Sequence, residues 1–95
     1  MKQLRKISVE QCCTYYKIET TFVQQLDQHG LIQLIRSGKG TYIDFEQLAD
    51  LEKYTHMHYD LNINFEGIEA IKHLLNRVQG LQRKLMKLQG ELQRP

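Results

Sequence analysis

Apolar residues recur at helical intervals in four stretches of the chain, separated by one stretch that reads as extended. Ser8-Val-Glu-Gln11 has the spacing of a capping box, and Val9, Cys12, Cys13 and Tyr16 form an apolar stripe behind it, so a short first helix is expected. Lys17-Ile-Glu19 connects to a second start at Thr20 or Thr21, where Thr21 to Gln24 repeats the capping spacing. Phe22, Val23 and Leu26 should face inward in this second helix, which His29 and Gly30 close before Leu31-Ile32 leads out. Leu34-Ile-Arg36 and Thr41-Tyr-Ile43 are short extended runs around Ser37-Gly-Lys-Gly40, a pattern that predicts a small β-hairpin wing. Asp44-Phe-Glu-Gln47 opens a third helix by the same capping logic, with Leu48, Leu51 and Tyr54 or Thr55 along one face to about Met57. A fourth helix begins after Asn62 or Asn64.

In that last helix Ile71, Leu74, Val78, Leu81, Leu85, Leu88 and Leu92 alternate in steps of three and four, a heptad seam of about three heptads. Gly80 and Gly90 each lower helix stability by roughly 1 kcal/mol, but both fall off the seam. An isolated helix of this kind is marginal and needs something against which to bury its stripe. Self-association to a homodimer is the first candidate and folding back on the rest of the chain the second. The g positions Arg77, Lys84 and Glu91 face Leu75, Gln82 and Gln89 at e, so charge pairing selects no orientation. The expected fold class is mainly α: a winged helix-turn-helix head with a small β-hairpin wing over residues 1–60, then a long leucine-rich helix over residues 61–95.

A chain of 95 residues buries one modest core, and a large catalytic cleft is not expected. No stretch approaches the roughly 20 apolar residues that span a bilayer, and Met1-Lys-Gln-Leu-Arg-Lys6 is not followed by the apolar run of a signal peptide, so a cytoplasmic location is expected. Cys12 and Cys13 are neighbours, where a bridge would strain the peptide between them; they read as two small apolar residues of the first helix. No nucleophile, base and orienting group stand together, and Ser37-Gly-Lys-Gly40 lacks the spacing of a phosphate-binding loop. His56 and His58, with His73, could be imagined as metal ligands, but the first two, two residues apart on a helix end, diverge from each other, and no cysteine lies nearby to complete a metal site. No catalysis, metal or cofactor is therefore expected.

Charge changes the picture more than composition does. Residues 1–43 carry six Lys/Arg against three Asp/Glu, residues 44–69 carry seven acids against Lys53, and residues 70–95 return to six bases against Glu91. This dipolar pattern favours a protein partner with complementary patches over a continuous nucleic-acid face. Helix, tight turn, helix and hairpin is nevertheless a geometry that sets a second helix in the major groove beside a wing on the backbone. The residues available for DNA are Lys17, Thr21, Gln24, Arg36 and Lys39, a thin supply of cations, since duplex affinity rests largely on phosphate neutralisation.

The stretch Ile7 to Ile32, ISVEQCCTYYKIETTFVQQLDQHGLI, resembles the MerR-type helix-turn-helix, with its Gly-Leu-apolar exit after the second helix. In that superfamily the second helix usually carries arginines and a tyrosine pair that touch DNA. Here those places hold Thr21, Gln24, Gln25 and Leu26, and the wing's usual arginine is Thr41. The second half, Tyr59-Asp-Leu-Asn-Ile-Asn-Phe-Glu-Gly-Ile68 followed by Ile71, Leu74 and Leu75, is similar to the chaperone modulatory protein CbpM family. That resemblance implies a non-enzymatic modulator that binds the J-domain of a DnaJ-class, CbpA-like co-chaperone and restrains its activity; a MerR-like DNA-binding transcriptional regulator is the alternative. J-domains generally present a basic helix, and the acids Asp44, Glu46, Asp50, Glu52 and Asp60 are the expected contact face.

Overall fold

The computed structural model describes residues 5–92; residues 1–4, where the N-terminal reading falls, and residues 93–95 lie outside the described part. The elements run β1 (Lys6–Ser8), α1 (Val9–Tyr16), α2 (Thr20–Gln28), β2 (Leu34–Ser37), β3 (Gly40–Asp44), a 3-10 turn (Phe45–Gln47), α3 (Leu48–Thr55), a π-helical turn (His56–Asp60) and α4 (Phe65–Leu92). The expected wing is present, with Leu34 opposite Ile43 and Ser37 opposite Gly40. It is larger than a hairpin: β1 pairs antiparallel on the other side of β3, giving the order β1-β3-β2. Gly38 at the tip takes φ 60°, the left-handed conformation a tight turn requires.

Helix ends follow local chemistry. Ser8 Oγ accepts the Gln11 N–H at 3.1 Å, as the capping spacing predicts. α1 stops because Lys17 adopts φ 58°, and the Ile18 N–H then reaches back to the Cys13 carbonyl at 3.0 Å. The second expected cap is corrected by the structure: α2 starts at Thr20 behind Glu19, which makes no side-chain cap bond, and Thr21 Oγ1 donates instead to Glu19 Oε2 at 3.3 Å. The left-handed turn at Lys17 fixes where the chain re-enters a helix, one residue ahead of the Thr21 box. Gly30, at φ 71°, closes α2 with a Schellman motif, in which Leu31 N–H bonds the Leu26 carbonyl at 2.9 Å and Gly30 N–H that of Asp27 at 3.0 Å. α3 is ordinary α-helix only to Thr55; the segment to Asp60 widens into the π turn.

The inward positions of the three head helices and the wing meet in one core, where Cys12, Val23, Leu26, Ile43, Leu51 and Ile68 are fully buried. Ile68 belongs to α4, so the first turns of the long helix are part of the head. Their geometry explains the Ile63-Asn-Phe-Glu-Gly-Ile68 pattern. Asn64 Oδ1 accepts the Gly67 N–H at 2.8 Å as N-cap, and Ile63 and Ile68 flank it as a hydrophobic staple. A Cβ on Gly67 would meet Ile63 Cγ2 at 2.7 Å and Asn64 Oδ1 at 3.0 Å, so glycine is what lets the staple and the cap coexist. Beyond Gln79, the last α4 residue that lines the groove beside α3, the helix projects from the head. At 1.5 Å per residue its 28 residues extend about 42 Å. No described helix is long and apolar enough to cross a membrane.

Candidate functional site

Two surfaces follow from this arrangement. The first is a cleft of about 480 Å³ between α2 and the wing, lined among others by Thr20, Gln24, Arg36, Lys39, Thr41 and Tyr42. It unites three of the residues expected to face DNA, Gln24, Arg36 and Lys39; Lys17 and Thr21 do not line it. The exposed face of α2 consists of Thr20, Thr21, Gln24, Gln25 and Gln28, without a cation. Arg36 Nη2 stands 3.5 Å from Asp27 Oδ2, so one of the two cleft cations is held by a carboxylate of α2 itself. The other Asp27 oxygen accepts the Leu34 N–H at 3.2 Å, which fixes that carboxylate as the link between α2 and the wing. Lys6 sits over the Tyr42 ring, 4.5 Å from its centroid, at the sheet's far edge.

The second surface is the seam of α4. Leu74, Val78, Leu81, Leu85, Leu88 and Leu92 are 47–86% exposed, so the helix does not fold back on the head. Ile71 is half-buried at the root. A groove of about 250 Å³ between α3 and α4, with Asp50, Tyr54, Met57 and Leu75 in its walls, continues the apolar stripe toward the core.

The acidic residues lie apart. Asp44 ends β3 and caps the 3-10 turn, accepting the Glu46 N–H at 2.9 Å. Glu46 follows in that turn. Asp50 faces the α3–α4 groove, whereas Glu52, about 200° around the helix, accepts the Tyr16 hydroxyl at 2.9 Å on the α1 side. Burial and that bond push the Tyr16 phenol up to about 12. Asp60 pairs with His56 at 2.7 Å in the π turn.

Sequence reasoning missed the aromatic joint between the head and α4. The His58 ring stacks on Phe22 at 4.9 Å and on Phe65 at 5.1 Å, and Phe65 also stacks on His29 at 5.2 Å. His29 pairs with Glu69, and Lys72 Nζ donates to the Gly30 and Leu31 carbonyls at 3.4 and 3.5 Å, fastening α4 to the C-terminal end of α2. His29, His58 and Phe65 are visible in the sequence, but only the fold turns them toward one another.

A three-helix head with its wing beside α2 and a projecting leucine-rich helix defines a winged helix-turn-helix protein of the regulatory type. Residues 7–90 match the family described as MerR HTH family regulatory protein, and the chain belongs to that family. No individual curated protein matches the sequence.

Proposed function

We propose that this protein is a non-enzymatic cytoplasmic modulator that binds a DnaJ-class, CbpA-like co-chaperone through its J-domain and restrains it, acting as a homodimer through the α4 seam. The observation that carries this reading is the chemistry of α2: its exposed face has no cation, and the adjoining Arg36 is paired with Asp27. A helix meant for a phosphate backbone needs the opposite balance. The lead-in to α4 from Tyr59 to Ile68, where the sequence resembles the chaperone modulators, supports the same reading.

The alternative, a DNA-binding MerR-like regulator, is favoured by one observation, the cleft that brings Gln24 beside Arg36 and Lys39. Titration of the full chain with the purified cognate J-domain and, in parallel, with duplex DNA at 150 mM salt separates the two. Saturable micromolar binding of the J-domain with only weak, salt-labile DNA binding is expected. The reverse pattern overturns the modulator and establishes the regulator.

A further inference from the structure

The π turn is the least economical piece of backbone in the molecule. Leu61 N–H reaches the His56 carbonyl at 3.1 Å, Ile63 N–H the Met57 carbonyl at 2.9 Å, and Asn62 between them takes φ 56°. The turn is fixed from three further sides. His58 Nδ1 bonds the Ile63 carbonyl at 3.1 Å, Tyr59 accepts the Glu19 N–H at 3.5 Å, and the Tyr59 ring meets Phe22 edge-on at 5.1 Å. A conformation held this firmly would be expected to bury its apolar residues. Instead Tyr59 is 46% and Leu61 55% exposed.

These two side chains lie in the acidic stretch of the chain. No Lys or Arg occurs between Lys53 and Lys72, while Asp60 separates Tyr59 from Leu61 and Glu66 follows in the first turn of α4. Asp60 lies against His56 at 2.7 Å, and its side chain stays largely exposed. A rigid pair of exposed apolar side chains among carboxylates is complementary to an apolar pocket bordered by cations. Preorganisation means that little ordering entropy is lost when such a pair docks.

We infer that the Tyr59–Leu61 turn is a docking surface for a cationic segment of the protein partner. This rests on the modulator reading above and replaces a dispersed acidic face with one place: Asp60 and Leu61 are central, and Asp50 and Glu52 lie outside it.

The test titrates the purified cognate J-domain with the full chain and with Leu61→Ser, Asp60→Lys and Glu52→Gln, with circular-dichroism melting to confirm that each variant folds and light scattering to report oligomeric state. Leu61→Ser and Asp60→Lys are expected to weaken binding about tenfold or more at an unchanged melting point, and Glu52→Gln to leave it within about twofold. If the J-domain binds all variants equally, the docking surface is wrong while the modulator function stands. If it fails to bind the wild type, both fall. A change of oligomeric state in Leu61→Ser overturns the inference in favour of a contact between two copies of this chain.

Discussion

At the scale of single residues, backbone conformation decides more than side-chain contacts do. Lys17 is the clearest case, because a side chain at φ 58° suffers a Cβ–carbonyl conflict of roughly 1–2 kcal/mol that glycine avoids. Part of that gain is lost to the greater freedom of glycine in the unfolded chain. Lys17→Gly should therefore stabilise by about 0.5–1 kcal/mol, read as a higher urea midpoint at unchanged slope. Gly67 is the opposite case. Alanine is intrinsically better in a helix by about 1 kcal/mol, but its Cβ must displace the stiff Ile63 side chain or the Asn64 cap. Gly67→Ala should thus destabilise by about 1 kcal/mol, whereas Gly80→Ala, with open space around it, should raise helicity. The cysteines set a limit in alkali. Burial pushes the Cys12 thiol from 9.0 up to about 11, aided by its neighbour, and Cys13 moves the same way. The unfolded chain gives up these protons from pH 9 while the folded chain keeps them, so stability is intact below pH 9 and falls as pH rises toward 11. Urea midpoints measured across that window should decline, and less steeply for Cys12→Ala.

Among the elements, α4 is the one whose sequence and surroundings disagree, since only its first turns reach the core and the rest exposes leucines. Exposed helices of this type are marginal, so a second copy is the expected cover. Replacing Leu81 and Leu85 by Lys should yield a monomer by light scattering with the head still folded, because neither residue contributes to the head's core. Melting of the wild type should rise with protein concentration and that of the variant should not. If the variant stays dimeric, the seam is not the interface. The start of α4 was legible because Asn64 and Gly67 are chemical requirements of its cap, and the inward residues of α1 to α3 were legible from period alone. β1 was not: it is three residues long with one apolar position, Ile7, and its strand character comes from pairing with β3. The π turn has no side-chain signature at all, since its defining bonds are between backbone groups. The acidic set follows from charge along a segment, and the structure adds that the helix turns Asp50 and Glu52 to different neighbours.

For the molecule as a whole, shape and charge point the same way. A radius of gyration of 17.2 Å exceeds the roughly 12 Å of a compact chain of this length, and the excess is the projecting half of α4. The head therefore meets any ligand by itself, with α4 free to join two heads. Of the residues expected to face DNA, each head's cations are Lys17, Lys39 and an Arg36 offset by Asp27, so through these a dimer would neutralise about four phosphates. Affinity would then fall with about the fourth power of salt, a loss of more than a hundredfold between 50 and 200 mM. We expect duplex binding by the wild type to be weaker than about 10 µM at 150 mM salt, in the range of non-specific contacts. Gln24→Arg combined with Asp27→Asn should reverse this. The first adds a cation to the cleft, and the second frees Arg36 while its amide oxygen still accepts the Leu34 N–H. A gain of tenfold or more in duplex affinity, measured by fluorescence anisotropy, would show that the scaffold retains a DNA-binding geometry whose charge has been withdrawn. Submicromolar binding by the wild type at the same salt would instead mean that Thr20, Gln24 and the wing suffice, and that the cleft, not the turn, is the working surface.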